Sequence, residues 1–135
     1  ASDVYKRQVY VMADGRHFWR VIDNLMNNIC KYAQPGTRVY VDLRENGGQV
    51  ELIFRNTSRY PLNISSEELM ERFVRGDESR NTEGSGLGIS IAKSLMELMG
   101  GSFMLYVDGD LFKVVLGFAQ MEEEKEPLDE DKSGK

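Results

Sequence analysis

Apolar residues at regular spacing predict a strand followed by a long helix in the first quarter of the chain. The apolar run 9–13 predicts the strand, and Asp14 is placed to cap the helix that follows it. From about residue 16 to residue 33, apolar side chains recur every three or four positions, as on the buried face of a helix. Their positions are Phe18, Val21, Ile22, Leu25, Ile29 and Ala33. Pro35 and Gly36 then end the helix, and the only cysteine, Cys30, is predicted to lie in the core.

Strict alternation of apolar and polar residues predicts a β-hairpin next. In the range 38–44, Val39, Val41 and Leu43 alternate with polar residues, which predicts a half-buried strand. The sequence Asn46-Gly47-Gly48 is typical of a tight hairpin turn, and 50–54 is the returning strand.

The second half of the chain predicts two helices and a second hairpin. Ser65 or Ser66, followed by Glu68, begins a short helix that runs to about Phe73. The range 74–85 has few apolar residues and is predicted to be a mobile loop with a functional role. A further helix is predicted at 87–99 and a hairpin at 102–118. This order predicts an α+β fold, a two-layer α/β sandwich whose mixed, mostly antiparallel sheet has its helices on one face.

Length and charge restrict the possible functions. The 135 residues, 41% of them hydrophobic, fit one domain, which we place at 9–118. Residues 1–8 are predicted to be disordered or the remnant of an upstream segment, and 119–135 to be an acidic disordered tail. Because this tail contains seven acidic residues and three lysines, it carries −4 of the net charge of −5. The nearly neutral remainder argues against nucleic-acid binding, which needs a basic face.

Three glycines at alternate positions, Gly84, Gly86 and Gly88, lead directly into the helix predicted at 87–99. Free backbone N–H groups at a helix N-terminus bind anions, and glycine allows a phosphate chain to approach the backbone closely. A nucleotide is therefore the first ligand to consider. The spacing fits neither a dinucleotide-binding Gly-x-Gly-x-x-Gly motif nor a P-loop, since position 89 is not glycine and no Gly-Lys-Ser/Thr follows.

A second group of polar residues lies on the first long helix. Asn24, Asn28 and Lys31 are spaced i, i+4 and i+7, so they share one face, with Tyr32 beside them. That face adjoins the apolar stripe, and asparagine is a poor helix former, so a purely structural reason for these residues is weak. An asparagine oxygen can bind Mg²⁺, a lysine can bind a phosphate, and a tyrosine ring can pack near a ribose or a base. The pattern favours a site for ATP and Mg²⁺.

Three segments resemble the sequence boxes of sensor histidine kinases, in the order and with the gaps typical of that family. Asn24-Leu25-Met26-Asn27-Asn28-Ile29-Cys30-Lys31-Tyr32 resembles the N box. Glu71-Arg72-Phe73-Val74-Arg75-Gly76-Asp77 resembles the F box, and Gly84-Ser85-Gly86-Leu87-Gly88-Ile89-Ser90-Ile91 the G2 box. The resemblance covers about 9–118. It implies the GHKL ATP-binding fold, also called the Bergerat fold, with ATP between the first long helix and a flexible lid.

One motif departs from the family pattern. Family members usually carry an Asp-x-Gly-x-Gly box, the G1 box, after the hairpin, and its aspartate accepts a hydrogen bond from the adenine amino group. Here Asn56 stands at the aspartate position, and both glycines are absent from the aligned segment 54–61. An asparagine can accept with its oxygen and donate with its nitrogen, so it can still recognise adenine, without a charge-assisted bond.

The resemblance implies a role for each matching residue. Asn28 would bind Mg²⁺, Asn24 would support a phosphate or a metal-bound water, Lys31 would contact a phosphate, and Tyr32 would pack near the ribose or base. The loop formed by Gly84, Ser85, Gly86, Leu87 and Gly88 would present backbone amides to the phosphates. Arg75 and Arg80 lie in the lid, where either could reach the γ-phosphate; a solvated loop charge is the alternative for each. Phe73 would have an apolar role at the base of the lid, with ordinary core packing as the alternative.

The implied function is phosphotransfer from ATP to a histidine on a separate phosphoacceptor domain, and onward to a response regulator. The only histidine, His17, lies at a helix start outside any His-Glu/Asp motif and is predicted to be a surface residue. The resemblance further implies a cytoplasmic domain, which does not itself span a membrane, in a homodimeric parent protein associated with the inner membrane.

Two alternatives stay open. The first is another GHKL-type ATP binder, such as an anti-sigma serine kinase or an ATPase, although those relatives tend to carry an acidic residue where Asn24 stands. The second is a degenerate nucleotide-binding module used for partner docking, which the altered G1 box suggests.

Overall fold

Residues 8–79 and 87–122 are described in a computed structural model of the chain. They form three helices and five strands in two layers, the α+β sandwich that was predicted. In chain order the elements are β1 (Tyr10–Val11), α1 (Gly15–Tyr32), β2 (Tyr40–Asn46), β3 (Gln49–Thr57), α2 (Ser66–Ser79), α3 (Leu87–Leu98), β4 (Ser102–Asp108) and β5 (Leu111–Met121).

Strand β5 is central in the sheet. It pairs with β3, which pairs in turn with β2, while β1 and β4 pair with β5 on the opposite side from β3. Every pairing between these strands is antiparallel. The register places Phe54 and Leu105 beside Val114, so apolar side chains of three strands share one face.

The core lies between that face and the helices. Helix α1 contributes Val21, Leu25 and Ile29, at the spacing that the sequence predicted. The buried residues of α3 are Ile89, Ala92, Leu95 and Met96. Cys30 is exposed, and its predicted core position is wrong, because one residue past Ile29 the side chain points about 100° away around the helix.

The first turn of α1 is stabilised by its predicted cap. One carboxylate oxygen of Asp14 accepts hydrogen bonds from the backbone N–H groups of Arg16 and His17, at 2.9 Å and 3.1 Å. These bonds satisfy donors that the first turn leaves free. The bond from His17 is the main reason that the pKa of Asp14 lies below its ordinary value of 3.8.

Strand β2 lies at the edge of the sheet and is exposed along its whole length. The predicted hairpin turn is present, with positive φ angles of 58° and 84° at Gly47 and Gly48. The predicted half-burial of the strand is wrong: Val41 is 50% exposed and Leu43 58%. Both stand beside inward-facing residues of β3. The described core nevertheless contains no residue of β2, because the helix layer does not extend over this edge of the sheet.

Helix α2 is longer than predicted. Its start is capped by Ser65, whose hydroxyl oxygen accepts from the Glu68 N–H at 3.1 Å. The helix continues to Ser79, so the loop predicted from residue 74 is wrong for 74–79. Leu69, Met70 and Phe73 pack against the core and anchor the helix. The single glycine inside this helix does not end it, because one interior glycine costs a helix only about 1 kcal/mol.

The last strand also passes the predicted domain boundary at 118. Strand β5 continues to Met121, because Gln120 and Met121 pair with Val11 and Tyr10 of β1. The rest of the predicted tail, from residue 123, and the first seven residues lie outside the described part of the chain.

Candidate functional site

Backbone hydrogen bonds join three elements where the site lies. The Gln34 N–H donates to the Thr57 carbonyl at 2.8 Å, and the Arg59 N–H donates to the Tyr32 carbonyl at 2.7 Å. The Ser58 N–H donates to the Asp110 carbonyl at 2.6 Å. The C-terminal end of α1, the end of β3 and the β4–β5 turn are therefore held together.

A cavity of about 400 Å³ opens beside this junction. Its described wall comes from the end of α1, the end of β3, the segment after it, helix α2 and the start of β5. The lining residues are Asn28, Tyr32, Asn56, Ser58, Tyr60, Leu62, Leu69, Arg72, Phe73 and Phe112. The size and the mainly apolar wall with a few polar groups are typical of a small-molecule site.

Asn56 is the most unusual residue of this wall. Its side chain is only 4% exposed, and it is the one buried polar residue recorded in the described part of the chain. Its side-chain oxygen has no hydrogen-bond partner among residues 8–79 and 87–122. Leaving a buried acceptor unpaired costs roughly 1–3 kcal/mol, so a fold that keeps one beside a cavity points to a ligand that donates to it.

Asn28 and Tyr32 reach the cavity from the last turns of α1, one turn apart on one face. Lys31 does not line it. Its ammonium nitrogen lies 5.2 Å from the centre of the Tyr32 ring, and its side chain is exposed. Lysine in the last turn lies favourably at the negative end of the helix dipole and over the ring of Tyr32, which does line the cavity.

Asn24 occupies a different setting from Asn28. It does not line the described wall but lies where α1 crosses α3, against Gly88. A methyl group at Gly88 would come within 3.1 Å of the Asn24 backbone oxygen and 3.2 Å of its Cβ. Gly88 therefore permits close packing of the two helices, which the predicted phosphate role did not include.

The other predicted site residues divide into three groups. Phe73 lines the cavity, so the structure brings it together with Asn28, Tyr32 and Asn56. Arg75 and Leu87 lie on described helical backbone, but their side chains are outside the description. The predicted residues Arg80, Gly84, Ser85 and Gly86 lie outside the described residues altogether.

Three polar wall residues were not predicted: Ser58, Tyr60 and Arg72. A terminal guanidinium nitrogen of Arg72 lies 3.6 Å from a carboxylate oxygen of Glu68, and the arginine side chain is 58% exposed. The i, i+4 spacing of this pair and its position before Phe73 were visible in the sequence. Tyr60 follows β3 in a segment with no regular pattern, so nothing in the sequence marked it.

Comparisons with known proteins identify the family. Residues 13–127 match the family described as histidine kinase-, DNA gyrase B- and HSP90-like ATPase. The chain is 34% identical over 110 residues to the probable sensor protein PcoS of Escherichia coli, which covers 78% of the chain and 24% of PcoS. It is 28% identical over 130 residues to the sensor histidine kinase WalK of Bacillus subtilis, which covers 92% of the chain and 21% of WalK.

A solved structure shares the fold. The mycobacterial sensor histidine kinase MprB matches with a TM-score of 0.66 at 24% identity, over 83% of this chain and 78% of that one. The chain belongs to the histidine kinase-, DNA gyrase B- and HSP90-like ATPase family. Within that family it is an ATP-binding domain of the histidine kinase type.

The chain spans about a quarter of the length of the curated relatives PcoS and SilS, 24% and 23%. None of the helices in the described ranges is both long and apolar enough to cross a membrane.

Proposed function

We propose that this chain is the catalytic domain of a sensor histidine kinase, which binds ATP with Mg²⁺ and presents the γ-phosphate to a histidine on a separate segment. One observation carries the proposal. The buried, unpaired oxygen of Asn56 lies on the wall of a cavity that Asn28 and Tyr32 also line.

The base would bind at the Asn56 end of the cavity. The adenine amino group would donate to the free Asn56 oxygen, which removes the cost of leaving that acceptor unpaired. Leu62, Phe73 and Phe112 would cover the apolar faces of the ring. The Tyr32 ring, at the end of α1, is placed to pack against the base or the ribose.

The phosphates would bind along α1. The Asn28 oxygen would be one ligand of Mg²⁺, which takes its other ligands from phosphate oxygens and water. Lys31 would contact a phosphate from the exposed side of the helix, and Asn24, one turn before Asn28, would support a metal-bound water. We assign Gly84, Ser85, Gly86, Leu87 and Gly88 to the phosphate loop, and Arg75 and Arg80 to the γ-phosphate, from their matches to the family boxes.

The phosphoryl acceptor would lie elsewhere in the parent protein. In the transfer, the bond from the γ-phosphorus to the β,γ-bridging oxygen breaks, a bond to a histidine ring nitrogen forms, and ADP leaves. His17 lies eleven residues before Asn28 on the same helix, about 16 Å along its axis, away from the cavity. A response regulator would receive the phosphoryl group next, and the parent would be a homodimer at the inner membrane with this domain in the cytoplasm.

Hydrolysis of ATP is the weaker assignment for this site. A hydrolytic relative needs a general base for water, and Asn24 is an amide without useful basicity. This residue favours phosphotransfer over an ATPase within the same family.

Calorimetry with a non-hydrolysable ATP analogue, with and without Mg²⁺, tests the proposal. We expect saturable binding that Mg²⁺ strengthens, and we expect Asn28→Ala to remove the Mg²⁺ dependence. The matched control is Asn27→Ala, because Asn27 is the exposed neighbour and does not line the cavity. It should keep the Mg²⁺ dependence of the unmodified chain.

Two results would contradict the proposal. Absence of binding at millimolar nucleotide would instead favour a docking module that has lost its nucleotide. Mg²⁺ dependence that survives in Asn28→Ala would remove Asn28 from the metal site.

A further inference from the structure

We propose that this site binds guanine as well as adenine nucleotides, because Asn56 can offer the base edge an acceptor or a donor. The inference rests on the proposed function and widens it from ATP to purine nucleoside triphosphates. It is carried by the chemistry of the buried amide and of the wall around it.

The two purines present opposite patterns at the edge that a buried amide would meet. Adenine donates from its 6-amino group and accepts at N1, whereas guanine accepts at O6 and donates from N1–H. An asparagine amide carries an acceptor and a donor side by side, so it complements adenine in one orientation and guanine in the other. A carboxylate has no donor, and it would place negative charge against the guanine O6.

The structure leaves Asn56 free to choose between these orientations. Within the described part of the chain the side-chain oxygen has no hydrogen-bond partner, so turning the amide by about 180° breaks no described bond at that oxygen. The last torsion of asparagine is broad and roughly two-fold, which permits both settings. Across the strand pair, Asn56 stands beside Phe112, whose ring contacts a base without distinguishing its 6-substituent.

The rest of the described wall does not select against guanine. None of its residues is a carboxylate. The hydroxyls of Tyr32, Ser58 and Tyr60 can each donate or accept. Arg72 donates only, and a guanidinium pairs well with the O6 and N7 acceptors of guanine.

Competition binding with a fluorescent ATP analogue tests the proposal on the whole chain in the presence of Mg²⁺. ATP and GTP should displace the analogue with dissociation constants within about tenfold of each other, since each satisfies the same amide. Purine riboside triphosphate, which has no substituent at position 6, should bind about tenfold more weakly than either. This comparison needs no variant, so it does not depend on how a substitution folds.

A substitution then assigns the effect to Asn56. In Asn56→Asp the donor is lost, and we expect GTP to weaken by about tenfold to a hundredfold relative to ATP. Asn46→Asp makes the same chemical change in the exposed last residue of β2, which pairs with Gln49 at the opposite end of β3 from Asn56. It should leave the ratio unchanged.

The outcomes separate this inference from the function on which it rests. Tight ATP binding with GTP more than about tenfold weaker would overturn the inference and leave the proposed function standing. Failure of both nucleotides to bind would overturn both. An unchanged ratio in folded Asn56→Asp would show that Asn56 does not read the base.

Discussion

The polar groups at the two ends of helix α1 differ in whether their hydrogen bonds are satisfied within the protein. At the N-terminal end, the Asp14 carboxylate accepts from two backbone N–H groups within the first turn. At the C-terminal end, Asn28 and Tyr32 line a cavity, and the neighbouring Asn56 oxygen is buried with no partner among the residues that the structure describes. Polar groups that are satisfied locally stabilise the fold, whereas an unpaired one beside a cavity lowers stability in favour of a ligand.

The largest effect on stability is expected between the two ends of α1, where the helix packs against the core. Leu25 is 1% exposed, and Leu25→Ala should lower the free energy of unfolding by about 2–5 kcal/mol, through lost burial and the cavity left behind. The control is Met26→Ala, at a neighbouring position that is 37% exposed. In denaturant unfolding, Met26→Ala should lower the free energy of unfolding much less than Leu25→Ala. Equal losses in the two variants would contradict the assigned orientation of α1.

At the cavity end, a substitution should separate binding from stability. Asn56→Leu removes the unpaired acceptor and keeps the same branching at Cγ, and the cavity beside it has room for the larger methyl groups, so stability without ligand should stay the same or rise. Binding of ATP should weaken by about 1–3 kcal/mol, because the base loses its partner. Denaturant unfolding and calorimetry measure the two quantities. A large loss of stability with unchanged binding would assign Asn56 to the core.

A smaller effect is expected where α1 crosses α3. Gly88→Ala should lower the free energy of unfolding by about 1 kcal/mol, because the new methyl group presses on the Asn24 backbone. Gly15→Ala is the control, since a Cβ there meets nothing within 4 Å. Thermal melts of both variants measure the effect, and Gly15→Ala should be neutral or stabilising. A Gly88→Ala variant as stable as Gly15→Ala would show that the helices can separate without cost.

The smallest effect is expected at the capped end, and it depends on pH. Because the pKa of Asp14 is lowered in the folded chain, its charge stabilises the fold above the ordinary value of 3.8, and this contribution disappears as the pH falls below it. An asparagine at this position would cap the helix without titrating, so Asp14→Asn should be slightly less stable than the unmodified chain at pH 6, and the difference should shrink as the pH falls below 3.8. Thermal melts across this range measure the difference. A gap that is constant with pH would contradict the assignment.

Local sequence patterns predicted the positions of helices and hairpins better than they predicted which elements are buried and how far a helix extends. The cap at Asp14 and the turn at Gly47-Gly48 depend on neighbouring residues, and both are present as predicted. The burial of β2 depends on which strand the helix layer covers, and its alternating sequence contains no information on that. The length of α2 was underestimated because packing of Phe73 outweighs the polar composition after it.

In the candidate site, too, local motifs were predicted and the contacts between distant segments were not. Asn28, Tyr32, Asn56 and Phe73 were singled out from motifs, and they line one cavity. Asn24 shares a helix face with Asn28 but lies against Gly88, because the crossing of α3 occupies that turn. Three wall residues, Ser58, Tyr60 and Arg72, were missed because their places on the wall depend on how distant segments pack.

The side-chain amide of Asn56 can be observed directly by nuclear magnetic resonance of the ¹⁵N-labelled chain during titration with Mg²⁺ and a non-hydrolysable ATP analogue. If its oxygen accepts from the base, the side-chain NH₂ signals of Asn56 should shift saturably, with the same dissociation constant as the backbone amide of Tyr32. Those of exposed Asn46 should not move. Unmoved Asn56 signals at saturating nucleotide would contradict a base bound against this residue.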